Sequence, residues 1–371
     1  MKILLDPQIF LWQKFGGVSQ LYVELLKYAG KWKEPDIIWP LVYSENLHLK
    51  EAGLNPRNIF TGLHQFNFKG TGRMKAMLKA ASVRKTKKLL SKGDFDVFFP
   101  TYYDPYFLNY LKQRPFVLVV HDMIHEIFPE YFRGDKTTVP NKKLLIEKAD
   151  KIITNSFHTK RDILCFYPHI PENKIEPVHH AQSIEDPDKA EAVDLPEEFI
   201  LFVGNREGYK NFTYLVESLA EILKERKTLY LVCAGGSIFS EEEKKTLKKL
   251  KIENKVIQKK FRDSELPSFY RAAKVFIFPS LYEGFGIPTL EAMKCGCPVI
   301  LANSSCFPEI AADAAIYFDP GSSSSLIQAL ENILEDEDLR SKMIKRGYDR
   351  VKEFSWEKTA KGYFSVIKQM I

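Results

Sequence analysis

The chain has 371 residues, of which 45% are hydrophobic and 27% charged, with 17 Tyr and 27 Phe. This composition excludes a disordered or fibrous protein, and the length predicts two or three domains, each with its own core. Against 48 Asp and Glu stand 54 Lys and Arg, for a net +6. The stretch Ala52 to Gly93 holds no acidic residue and carries +10, which leaves the rest at −4, so the basic character is local.

The N-terminal Met1-Lys2-Ile3-Leu4-Leu5 is interrupted by Asp6-Pro7 after three apolar residues, so it reads as a strand and not as a signal peptide. Phe15-Gly16-Gly17-Val18-Ser19 follows and leads into a helical run from Gln20 to Ala29. The basic stretch contains a second helical pattern, with Met74, Met77, Leu78 and Ala81 as its apolar stripe. Arg73, Lys75, Lys79, Arg84, Lys85, Lys87 and Lys88 surround that stripe. A solvated helix, a basic amphipathic helix on an anionic membrane and a nucleic-acid contact all fit this pattern, although no motif that reads DNA or RNA accompanies it.

Short apolar runs then alternate with helical segments. Beside Lys2 to Leu5 they are Val97 to Phe99, Val117 to Val120, Ile152 to Thr154, Phe199 to Val203, Leu229 to Cys233, Val275 to Phe278 and Val299 to Leu301. Their continuity predicts parallel strands covered by helices on both faces, an α/β fold. Ser183 to Glu198 is acidic, holds two prolines and lacks a period. It predicts a linker at 185–198 between a first domain, 1–184, and a second, 199–355, with a C-terminal helix at 356–371 that could pack back on the first domain. Two such domains would face each other across a cleft at the carboxyl ends of their strands.

Cys165, Cys233, Cys295, Cys297 and Cys306 are an odd number spread over a large chain, which argues for reduced thiols and not a disulfide framework or a metal site. Asp94-Phe95-Asp96 resembles a metal-binding acidic triplet, but it opens a strand. No run of 18 apolar residues occurs, so the chain is expected to be cytoplasmic, with a peripheral position on the inner face of the cell membrane as the further option.

Three segments carry chemistry. Pro279 to Met293 runs from a strand through the Gly284-Phe285-Gly286 turn into a helix, with Glu283 before the turn and Glu291 after it. Glycines let a ligand approach the backbone, helix-terminal amides suit anions, and carboxylates accept hydrogen bonds from vicinal hydroxyls. Gly204-Asn205-Arg206-Glu207-Gly208-Tyr209-Lys210 puts two cations at another strand-to-helix turn, suited to a diphosphate. His121-Asp122 follows the strand Val117 to Val120, so the imidazole stands at its carboxyl end.

These residues resemble the signature of the retaining glycosyltransferases of family 4, which have the GT-B fold and carry two glutamates separated by seven residues. The resemblance continues through Lys294-Cys295-Gly296-Cys297-Pro298, Pro308-Glu309-Ile310 and Phe318-Asp319-Pro320. It implies two Rossmann-like domains, the first binding an acceptor and the second a nucleotide sugar. Glu283 would lie by the donor sugar and Glu291 by the ribose. Backbone around Phe285, Gly286, Ile287, Thr289 and Leu290 would meet the sugar and pyrophosphate, with Arg206 and Lys210 on the diphosphate. His121 would reach the sugar from the first domain, and Gly16, Gly17 and Gly235 would give backbone paths beside the donor.

No cofactor or divalent metal is expected. The implied partners are a nucleotide sugar of the GDP-mannose or UDP type, a glycan or lipid-linked acceptor and an anionic membrane surface, with no nucleic acid. The look of His121-Asp122 and of the glycine-rich start is similar to that of bacterial polysaccharide mannosyltransferases. Gln258-Lys259-Lys260-Phe261 departs from the family, which has a glycine there beside the nucleotide base. A nucleotide-sugar epimerase of the same fold and a nucleic-acid-binding protein are the alternatives.

Overall fold

The computed structural model describes residues 1–56 and 71–371; Arg57 and Lys69 of the basic stretch lie outside the described residues. The chain divides into two compact units. One comprises Met1–His180 and Trp356–Ile371, the other Ala181–Ser355.

In the first unit, β1 (Lys2–Leu5), β2 (Asp36–Ile38) and β3 (Val97–Phe99) form a parallel sheet of order β2-β1-β3. A second parallel sheet, β4 (Val117–Val120), β5 (Lys151–Thr154) and β6 (Ile175–Pro177), has the order β4-β5-β6. A parallel bridge between Phe98 and Phe116 links the two. Leu4, Phe98, Leu118, Val120, Ile152 and Ile175 are essentially unexposed in one shared core, as expected for strands covered on both faces.

The second unit holds six parallel strands, β7 (Glu198–Val203), β8 (Leu229–Ala234), β9 (Val256–Lys259), β10 (Val275–Phe278), β11 (Val299–Ala302) and β12 (Ile316–Phe318), in the order β12-β11-β10-β7-β8-β9. The order reverses between β7 and β10. At such a point the loops leaving adjacent strands diverge to opposite faces and open a crevice beyond their carboxyl ends.

All eight apolar runs of the sequence lie in strands. The four strands without such a run, β2, β6, β9 and β12, are each at the edge of a sheet, and every one of them carries partly or fully exposed positions. An edge position needs less apolar surface, so its sequence signal is weaker.

The acidic segment 185–198 is not a free tether. Glu191 N–H donates to Ser264 O (3.0 Å), Ser268 Oγ to Glu191 O (2.6 Å) and Arg271 to Pro187 O (3.0 Å), fastening it to the helix Leu266–Ala272 of its own unit. The helix Trp356–Lys368 belongs to the first unit, where Tyr363 Oη lies 3.0 Å from His180 Nε2 and Thr359 Oγ1 donates to His179 O (2.7 Å). Among the described residues no helix is long and apolar enough to cross a membrane.

Candidate active site

The loops after β7 and β10 flank the reversal of strand order, and they carry the two segments singled out above. Lys210 Nζ lies 2.6 Å from Glu283 Oε1, and Leu281 N–H donates to Tyr209 O at 2.8 Å, so side chains and backbone both join the loops. Asn211, at φ 58°, turns the chain from Lys210 into the helix Phe212–Glu225. The Lys210 ammonium also sits 5.1 Å from the Tyr209 ring and 5.4 Å from that of Phe278, distances at which aromatic faces attract a cation. Ser305 Oγ accepts the Glu283 N–H at 3.1 Å. Both charged side chains retain some exposure, 19% and 14%.

Beyond Glu283, Gly286 takes φ 79° and starts the helix Ile287–Lys294. A Cβ there would stand 3.0 Å from the Phe307 ring in a backbone conformation that side chains disfavour, so this position requires glycine. The expected backbone path at Thr289 is corrected: its N–H is spent within the turn on Gly286 O (2.9 Å). Its hydroxyl, and that of Ser280, are instead buried without a partner among the described residues. Buried hydroxyls without a protein partner, one before the glycine turn and one in the first turn of the helix after it, are suited to a polar ligand. Leu290 is fully buried, so its side chain serves the core. Glu291 Oε2 accepts from Tyr270 Oη at 3.0 Å. Burial pushes this carboxyl up to about 7 while the Tyr270 hydroxyl pulls it down.

Arg206 is the main correction. Its side chain is 2% exposed and does not stand open to a ligand. Nε donates to Glu243 Oε1 (2.8 Å), Nη2 to Ser237 O (2.6 Å) and Nη1 to Gly235 O (3.4 Å), and the guanidinium stacks 4.7 Å from the Phe239 ring. Arg206 therefore pins the 235–237 loop in place, because a rigid fork can satisfy two carbonyls and a carboxylate together. Glu243, which the sequence reading passed over, also closes a capping box with Ser240, a signal legible as Ser-x-x-Glu. Gly235 and Gly236 hold φ 83° and 67°, and a Cβ at Gly236 would lie 3.0 Å from both Arg206 Nη1 and Gly204 O. The divergent segment 258–261 meets this loop: Gln258 Nε2 donates to Gly235 O (3.3 Å), and the Phe261 ring lies 3.0 Å from where a Gly235 Cβ would be.

In the first unit, His121 stands at the carboxyl end of β4, buried, with Nε2 lacking a partner among the described residues. Burial lowers its imidazole to about 4. The His121 backbone N–H donates to Tyr103 Oη (3.1 Å) and its carbonyl accepts from Asn155 Nδ2 (2.8 Å). Gly16, at φ 150°, caps the helix Gly17–Trp32, and a Cβ on it would strike the Gln13 amide at 2.6 Å. Asp94 and Asp96 lie at the amino end of β3, where Lys2 Nζ pairs with Asp94 (3.3 Å) and Lys2 N–H donates to Asp96 (2.7 Å).

The basic helix spans Thr71–Lys92. The expected apolar stripe is corrected, since Met77 is 71% exposed while the buried positions are Ser82, Thr86 and Leu90. Serine and threonine fit inside because their hydroxyls are used: Val42 N–H donates to Ser82 Oγ (2.9 Å) and Thr86 Oγ1 to Ser82 O (2.9 Å). Lys75 pairs with Glu45 at 2.8 Å, Lys87 lies over the Tyr106 and Tyr110 rings, and Lys79 is partly buried. Arg73, Arg84, Lys85 and Lys88 are exposed.

Residues 183–350 match the family described as "Glycosyl transferases group 1", and residues 15–184 that described as "Glycosyltransferase Family 4". The chain is 29% identical over 273 residues to the O-antigen chain mannosyltransferase B of Escherichia coli, covering 69% of this chain and 71% of that one. To the serotype-specific mannosyltransferase WbdA of Escherichia coli it is 26% identical over 66% of its own length, and it spans 32% of that protein. Two solved structures have the same fold. Sucrose-phosphate synthase from Thermosynechococcus elongatus superposes with a TM-score of 0.71 at 21% identity, covering 100% of this chain and 98% of the other. Anabaena HepE, in complex with UDP and glucose, gives 0.72 at 16%, covering 99% of each.

Proposed function

Because the chain belongs to the family 4 glycosyltransferases and has the GT-B fold, we propose that it moves a sugar, with retention at the anomeric carbon, from a nucleoside diphosphate to a hydroxyl of a glycan or lipid-linked acceptor. The observation that carries this reading is the Lys210–Glu283 pair at the reversal of strand order. An ammonium has three donors, so Lys210 can keep Glu283 while it stabilises the departing diphosphate. The bond from the anomeric carbon to the diphosphate oxygen breaks, the acceptor oxygen bonds to that carbon, and the acceptor's proton passes to the leaving diphosphate. Glu283 orients the sugar, the Thr289 hydroxyl meets a donor oxygen, and Glu291 accepts from the ribose. Arg206 shapes the 235–237 loop on which the nucleotide rests, and we assign His121 to the sugar being transferred.

This chemistry needs no divalent metal when lysine supplies the counter-charge. The names of the mannosyltransferases above favour mannose as the sugar, for which we propose a guanosine diphosphate carrier, whereas the HepE complex carries uridine diphosphate. Thermal stabilisation by guanosine, uridine and thymidine diphosphates side by side, with and without chelator, tests donor and metal together. An epimerised nucleotide sugar formed without any acceptor would overturn transfer in favour of isomerisation. For location we propose the inner face of the membrane, supported by the exposed cations Arg73, Arg84, Lys85 and Lys88 beside Met77.

A further inference from the structure

Lys142 lies on the helix Thr138–Lys148, 20 residues beyond the strand-end histidine's turn, and is 0% exposed. Its Nζ donates to Asp122 O at 3.0 Å and to Glu126 Oε2 at 2.9 Å, and stands 5.3 Å from the centroid of the Tyr103 ring. The Glu126 side chain is 3% exposed, so a complete ion pair is withdrawn from water. A buried pair gains little over well-packed apolar side chains of the same volume, so stability alone does not account for this one. Its place does. The ammonium holds the carbonyl directly after His121, and the Tyr103 ring beside it carries the hydroxyl that accepts the His121 N–H. Asn155 holds the His121 carbonyl from β5's carboxyl end, and Asp122 Oδ1 accepts from Ile124 N–H at 3.1 Å. Every backbone group of the His121-Asp122 peptide named here is thereby fixed, while His121 Nε2 is buried without a partner among the described residues. Glu126 Oε1 and His125 Nδ1 are buried without a partner among the described residues as well, but of the three only the His121 nitrogen belongs to the residue at the carboxyl end of β4 whose backbone is held this firmly, the arrangement expected of a preorganised contact.

We propose that Lys142 is a positioning residue: paired with Glu126, it clamps the His121-Asp122 turn so that the imidazole nitrogen is held ready for the sugar. This rests on the assignment of His121 to the transferred sugar, and the test separates the two. The double variant Lys142→Met/Glu126→Gln removes the pair without stranding a buried charge, and should fold with an unchanged or higher Tm. The expected result is a fall of about ten- to a hundredfold in kcat for transfer, the scale of a misplacement near 1 Å, with nucleoside diphosphate affinity unchanged. In a His121→Ala background the same double change should cost nothing further, since the two act as one unit. Asn155→Ala, which loosens the same turn from β5, should reproduce the kcat fall and the coupling, and it serves as the second probe if the double variant does not fold. An undiminished kcat, or a loss that adds in full to that of His121→Ala, overturns the clamp while leaving the role of His121 intact. Full activity in His121→Ala itself overturns both.

Discussion

Lys210 Nζ and Glu283 Oε1 meet at 2.6 Å although 73 residues separate them, and their contact ties the loop after β7 to the loop after β10. The first loop offers a cation to a diphosphate, and the second begins the glycine turn. Lys210→Met should reduce transfer by about a hundred- to a thousandfold, the scale of losing a donor aimed at developing charge. Adding Glu283→Gln should recover any lost Tm without restoring the rate. Steady-state kinetics and thermal unfolding on the three proteins check this, and a rate rescued by the second substitution would show that the pair is only structural.

Glu291 should make nucleotide binding depend on pH. Its carboxyl is raised to about 7 by burial, and a ribose diol donates best to the ionised form. Affinity for a nucleoside diphosphate should therefore rise between pH 6 and 8, and Glu291→Gln should flatten that rise. Tyr270→Phe removes a hydroxyl that favours the carboxylate, so it should move the midpoint to higher pH. Because the folded value lies above the unfolded one, the stability linked to this group is full below the ordinary carboxylate range and is lost as pH rises through about 7. Calorimetric titrations across this range read the binding midpoint directly.

His121 should stay neutral wherever the protein works. Burial lowers it to about 4, so its linked stability is full above the usual histidine range near 6.5 and is lost as pH falls through about 4. Imidazole NMR signals of His121 should not titrate between pH 6 and 9. A midpoint inside that window would contradict a buried, uncharged imidazole.

Arg206→Gln should destabilise the second unit by about 2 kcal/mol, since it removes the buried guanidinium from a half-buried pair and leaves Glu243 with its capping bond to Ser240 N–H. The Gly235 and Ser237 carbonyls lose their donor as well. Donor KM should rise more than kcat falls, because the arginine shapes the loop and is not presented to the reacting phosphate. A pure kcat defect with wild-type Tm would return Arg206 to the diphosphate.

Replacing Arg84, Lys85 and Lys88 by Gln should abolish flotation with anionic liposomes and leave solution activity on a soluble acceptor unchanged. Each cation near such a surface contributes about 1 kcal/mol. Equal recovery with neutral and anionic vesicles would sink the membrane reading.

Much of the fold was legible along the chain. Interior strands show as unbroken apolar runs because both of their faces are covered, and glycines mark the turns where the backbone passes close to its neighbours. The edge strands Asp36–Ile38 and Ile175–Pro177 were not legible, because they satisfy only one neighbour each and carry no continuous run, whereas Val97–Phe99 and Val117–Val120, also last in their sheets, are buried and bridged through Phe98 and Phe116. On the basic helix, composition marked the charge but misplaced the buried face. Ser82 and Thr86 point inward because their hydroxyls find backbone partners, which hydropathy does not register.

By itself the sequence determined the chemical types present: two glutamates around a glycine turn, a lysine and an arginine after another strand, and a histidine at a strand's end. Which of them stand together was decided only by the tertiary structure. Parallel strands bring residues far apart in the chain to one edge of the sheet, so strand order set Lys210 against Glu283. The same packing turned Arg206, four residues earlier, inward onto Glu243 and the 235–237 carbonyls. Two cations in one short loop look equivalent in sequence, and they differ here because a buried guanidinium must spend its N–H donors on the acceptors within reach.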